Sequence, residues 1–177
     1  MCIRDRVYSD SSLIYLNEAF KLIRNHKGRS FPVAPFYFGK ASAAWLQRDH
    51  LSGLTFCNRG IEVAGNDTFQ DSLLLLRSYN LKGVMLKKLE QYDLAENSFH
   101  MALTYFNRSI SSQYKQEIFR ELALLAITQE QESVFFYYLN QIRLEIECSK
   151  KQYVYPVELL GYFHPVSYTH LTLPTKA

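Results

Sequence analysis

The chain has 177 residues, of which 47% are apolar and 15% aromatic, enough for one domain or part of a repeat array and too apolar for general disorder. Seven glycines and five prolines are few for an all-β chain with many tight turns. A net charge of +3 leaves no electrostatic footprint for nucleic acid, and no apolar run approaches the ~20 residues that span a bilayer.

In chain order, the first six residues, Met1-Cys2-Ile3-Arg4-Asp5-Arg6, already stand apart. They can be coded by DNA whose reverse complement, read in a shifted frame, codes Val166-Ser167-Tyr168-Thr169-His170 near the other end. The shared element resembles the transposase mosaic-end adapter used to prepare sequencing libraries, and Leu171 to Thr175 resembles its continuation. The expectation is therefore an adapter-like segment at 1–6, an authentic fragment at 7–164 and a second adapter-like segment at 165–177. Removing Arg4, Arg6 and Lys176 leaves 17 basic residues, and removing Asp5 leaves 16 acidic ones, so the interior is near +1. Cys57 and Cys148 lack metal-ligand spacing and read as reduced cytosolic thiols.

Ser12, Leu16 and Ala19 fit the second helix of a hairpin whose first helix lies upstream. Gly28, Ser30, Pro32 and Pro35 mark a loop before the next helix. Tyr37 and Ala41, then Gly53, Cys57 and Gly60, form a degenerate helical pair. Gly65-Asn66-Asp67-Thr68 is a loop in which Asp67 or Thr68 can cap the following helix.

The clearest segment runs from Arg77 to Phe106. Leu76, Tyr79, Gly83 and Leu86 share one helical stripe, and Ala95, Phe99 and Ala102 share another. Glu90-Gln91-Tyr92-Asp93 makes the turn, with Asp93 as the expected cap and Glu96 three residues on. Gly83 and Ala95 are placed where the two helices approach, with Phe99 filling the space between. Ala102 is placed toward the next hairpin, because larger side chains at such crossings push axes beyond the usual ~8–10 Å. Ser109, Ser111 and Ser112 mark a third loop. Lys115–Thr128 and Gln131–Glu147 read as another pair, with either Val134/Tyr138 or Phe135/Leu139 in the packing roles. Phe135 to Tyr138 is apolar around most of a helix circumference; a helix wedged between its hairpin and the next is favoured over a partner interface. Pro156–Phe163 begins one more helix.

The segment resembles the tetratricopeptide repeat at Tyr79, Gly83, Leu89, Tyr92, Ala95, Phe99 and Ala102, although Asn107 stands where the repeat usually has proline. Tyr37, Ala41, Gly53, Cys57 and Gly60 fall in the same register at a shift of 42 residues (95 minus 53), longer than the usual ~34. Such long copies resemble repeats in cytosolic signalling regulators, including bacterial peptide-sensing regulators. The resemblance covers most of residues 11–149. It implies an all-α fold, in which antiparallel helical hairpins stack into a short right-handed solenoid with first helices lining the inner face.

On that face the resemblance makes Arg77, Asn80, Val84, Lys87 and Lys88 candidates for peptide contact, with Phe38, Ser42, Trp45 and Leu46 at equivalent places one repeat earlier. Arg77 and the lysines suit a carboxylate, Asn80 suits an extended backbone, and the aromatic residues suit an apolar pocket. The alternative is a solvated basic helix face beside a partly buried aromatic pair.

There is no Gly-rich phosphate loop, paired metal-binding histidine or nucleophile elbow. His26, His50, His100 and His164 are scattered. Asn66-Asp67-Thr68 and Asn107-Arg108-Ser109 read as ordinary loop residues rather than glycosylation sites. The expectation is a cytoplasmic protein- or peptide-binding scaffold, a fragment of a larger bacterial signalling or regulatory protein, with no catalytic residues, cofactor, metal, nucleic-acid or membrane partner. The competing expectation is the repeat region of a sensor kinase or other enzyme whose catalytic domain is missing, or of a transcription regulator that lost its DNA-binding domain.

Overall fold

The structure is a computed structural model that describes residues 14–19, 21–22, 33–65 and 71–149. Both adapter-like ends, the glycine and first proline of the loop at 28–35, Asp67, Thr68 and the 156–163 segment lie outside the described residues. Among the described residues every regular element is a helix, so the fold is all-α. Residues 14–19 and 21–22 belong to α1. Six more helices follow: α2 (Ala34–Leu46), α3 (His50–Gly65), α4 (Ser72–Lys88), α5 (Tyr92–Thr104), α6 (Ser112–Thr128) and α7 (Glu132–Ser149). None of these helices is long and apolar enough to cross a membrane. Two compact units divide the chain, one ending at Ile110 and the other starting at Ser111.

In the first unit α2 packs on α3, α4 packs on α5, and α4 also contacts both α3 and α2. α2 starts where Pro35, at the first turn, needs no hydrogen-bond acceptor, so Pro35 belongs to the helix and not to the preceding loop. α4 starts at Asp71, whose side chain accepts from the Leu74 N–H at 3.0 Å. α5 departs from expectation. Its N-cap is Gln91, which makes no side-chain capping bond, and Asp93 lies inside the first turn. There its carboxylate faces the positive end of the helix dipole and still favours the helix start.

The three turns that join α2 to α3, α4 to α5 and α6 to α7 share one backbone pattern. Arg48, Glu90 and Glu130 each adopt the left-handed conformation, with φ of 61°, 60° and 58°. They recur at intervals of 42 and 40 residues (90 minus 48, 130 minus 90). The next N–H reaches back five residues each time: Asp49 to Ala44, Gln91 to Leu86 and Gln131 to Ala126, at 3.0, 3.0 and 2.8 Å. The left-handed residue itself donates three residues back, to Trp45, Lys87 and Ile127. This is the Schellman closure, and it satisfies carbonyls that the helix end would otherwise leave open. Asp49 acts twice: its N–H closes α2, and its Oδ1 accepts from the Ser52 N–H at 3.1 Å to cap α3.

That common register aligns Ala41, Gly83 and Ala123, which are all buried. The reason is steric. A Cβ on Gly83 would lie 2.6 Å from Cε1 and 2.7 Å from Cδ1 of Phe99, whose ring is fully buried. Gly83 therefore sits at the α4–α5 crossing as expected, and Phe99 fills the space above it. Ala95 and Ala102 are also fully buried. The first copy refines which contacts these positions make. A Cβ on Gly53, the counterpart of Ala95, would meet Met85 Cε at 2.5 Å and the Ala44 Cβ at 3.6 Å, so this position lies between its own partner helix and the next first helix. One on Gly60, the counterpart of Ala102, would meet the Tyr37 Cβ at 3.1 Å, so that contact stays within its own pair. α1 meets α2 in a similar way, with Leu16 against Gly39.

In the second unit α6 packs on α7. Ser111 caps α6, accepting from the Gln113 N–H at 3.4 Å. The backbone register makes Phe135 the counterpart of Gly53 and Ala95. The buried side chains of α7 are Phe135, Tyr138 and Ile142, so one member of each anticipated packing pair faces inward. Phe136 and Tyr137 are 42% and 57% exposed, so the aromatic run is divided between core and surface. Lys115 of α6 pairs with Glu145 of α7 and lies over the Phe119 ring, which stacks on Tyr138.

Four outcomes follow from this packing. Gly83→Ala gains about 1 kcal/mol of helix propensity but must displace a buried ring, for a net loss of about 1 kcal/mol or more. Gly53→Ala overlaps only the flexible end of Met85 and touches the Ala44 Cβ at ordinary contact distance, so its melting midpoint should stay close to that of the parent; equal losses at both sites would contradict the assigned crossings. Glu90→Gly removes a left-handed penalty of ~1–2 kcal/mol against a glycine entropy cost of ~0.5–1 kcal/mol, so the denaturation midpoint should rise. Burial pushes the Cys57 thiol up to about 12, against a small opposing effect of Lys82, while Cys148 is exposed. In a Cys2→Ser background at pH 8, a thiol reagent should therefore label Cys148 at once and Cys57 only after denaturant is added.

Candidate ligand-binding face

The candidate residues come from α2 and α4, which touch each other within the first unit. The 42-residue shift makes Phe38 the counterpart of Asn80, Ser42 of Val84 and Trp45 of Lys87. Arg77, Lys88 and Leu46 are exposed, whereas Phe38, Ser42, Trp45, Asn80, Val84 and Lys87 are half-buried. One contact joins the two groups directly. The Arg77 guanidinium carbon lies over the Phe38 ring, 4.5 Å from its centroid, a cation–π geometry that sequence spacing does not reveal.

The other polar candidates are partly engaged. Ser42 donates its hydroxyl to the Phe38 carbonyl one turn back, at 3.0 Å. Asn80 Oδ1 is buried without a hydrogen-bond partner, so that acceptor is not open to a ligand. Trp45 leans on His50, with ring centroids 5.2 Å apart and planes inclined by 41°. His50 was not anticipated as a neighbour of this face; its place just after the turn from α2 brings it there. Lys87 and Lys88 occupy the last turn of α4, where positive charge also complements the exposed carbonyls.

Charge is segregated among the helices of the first unit. α2 carries Lys40, and α4 carries Arg77, Lys82, Lys87 and Lys88, with no acidic residue on either. Among the described residues of 33–110 the acidic ones are Asp49, Glu62, Asp71, Glu90, Asp93 and Glu96, all on α3, α5 or connecting residues. α6 lacks this bias, because Lys115 and Arg120 are matched by Glu117 and Glu121. Chemically the face offers cations, ring surfaces and a small apolar step at Val84. The Cys57 thiol of α3 is buried and held in its neutral form. Compared with protein-family models, curated proteins and solved structures, the chain matches none.

Proposed function

We propose that this chain is a protein- or peptide-binding scaffold of tetratricopeptide-like repeats, part of a larger cytoplasmic signalling or regulatory protein. Its helical pairs act as antiparallel hairpins stacked in a short right-handed solenoid, and recognition takes place on the face built by the first helices. The observation that carries this reading is the recurrence of one Schellman turn at Arg48, Glu90 and Glu130. A turn repeated at near-constant spacing, with a small residue at the same point of each first helix, is the grammar of a repeat array. Such arrays bind extended partners along a face and need no bond-making groups. Arg77, Val84, Lys87, Lys88, Phe38 and Trp45 supply the contacts, with Ser42 and Asn80 mainly shaping the surface between them.

The test is selection of ligands from a random twelve-residue display library. Enriched peptides should lose about tenfold or more in affinity for the Phe38→Ala/Arg77→Ala double variant, with helicity retained by circular dichroism. Failure to enrich any ligand, or equal binding by the variant, would show that this face is not the recognition surface.

A further inference from the structure

We infer that the face formed by α2 and α4 takes an extended acidic segment carrying two carboxylates about five residues apart. This rests on the scaffold reading above and specifies its ligand. The charge distribution gives the sign. All charges on the two contacting first helices are positive, while the first helix of the second unit is balanced. Among the described residues of 33–110 acidic groups are confined to α3, α5 and connecting residues, so an anionic partner meets no like charge on α2 or α4 itself.

The geometry gives the spacing. Arg77 and Lys88 are both exposed and eleven residues apart (88 minus 77) on one helix. At 1.5 Å and ~100° per residue, they lie ~16 Å apart along the axis and within ~20° on the same stripe. An extended chain rises ~3.3 Å per residue, so five residues cover that distance. Val84 lies on the same stripe between the two cations, where an apolar side chain of the ligand would rest.

Arg77 also has a prepared geometry. Contact with the Phe38 ring restrains the long side chain before any ligand arrives. A guanidinium over a ring still offers N–H donors at its edge, and these match a carboxylate in pairs. The lysine end makes a less directional contact with the second carboxylate. A lone chain-terminal carboxylate fits less well, because the Ser42 hydroxyl already donates to the Phe38 carbonyl and the exposed cations are spread along the helix.

The experiment uses the full chain and fluorescein-labelled, N-acetylated, C-amidated twelve-residue peptides. These carry two Asp residues separated by two, five or eight positions in a Ser/Gly background with one Leu between them. A peptide without Asp and a single-stranded RNA of equal length serve as comparisons. Anisotropy should show tightest binding at a separation of five, falling about tenfold between about 50 and 300 mM salt. Arg77→Ala and Lys88→Ala should each weaken it by about tenfold, and Arg77→Lys by less. Equal affinity at all three separations, equal affinity for the Asp-free peptide, or tighter binding of the RNA would overturn the acidic-segment inference. The scaffold reading would survive those results if library-selected peptides still bound through Phe38. Failure of the library selection itself would overturn both.

Discussion

The packing of the first unit depends on a point where one residue has no side chain. Phe99 can be buried because Gly83 leaves room for its ring. A fully buried phenylalanine contributes roughly 2–3 kcal/mol, but only when the space beside it is closed. The same position holds Ala41 and Ala123 in the neighbouring copies, so each first helix keeps its surface low there. Close approach then brings the paired helices together, and the Schellman turns close the first helix of each pair. The small residue and the tight turn are two parts of one constraint, because a short connection leaves little freedom to widen the crossing.

The hydrophobic stripes were readable because a helix repeats its faces at 3.6 residues. Leu76, Gly83 and Leu86 on α4, and Ala95, Phe99 and Ala102 on α5, are all buried. The turn between those helices was also readable, but its cap was not. Asp93 is a good N-cap by type, yet the Schellman closure takes Gln91 into that position and leaves Asp93 two residues further on, inside the first turn. The third copy was harder for a different reason: Val134, Phe135, Tyr138 and Leu139 are all large and apolar, so composition alone does not order them. The repeated turn sets the backbone register, and the burial of Phe135 and Tyr138 then follows from the mate helix.

The candidate face was legible in part. The repeat resemblance singled out Arg77, Asn80, Val84, Lys87 and Lys88 on α4. The resemblance did not reveal that Arg77 reaches across to Phe38, because that contact depends on how two helices 42 residues apart in register lie against each other (80 minus 38). Nor did it reveal that Ser42 bonds to its own helix, since a serine in a helix interior has both options. Segregation of charge between first and second helices needs the helix boundaries, and the near-neutral total conceals it.

The double role of Asp49 makes the three junctions unequal toward acid. Hydrogen bonds from Ser52 hold the Asp49 carboxyl below its ordinary value. A carboxyl lowered by folding contributes its stabilisation above the unfolded-state value and loses it as pH falls through the folded one. Gln91 and Gln131, at the matching points, have no proton to gain. Acidification therefore weakens the cap of α3 at Asp49, whereas the residues at the matching points of the other two junctions do not titrate.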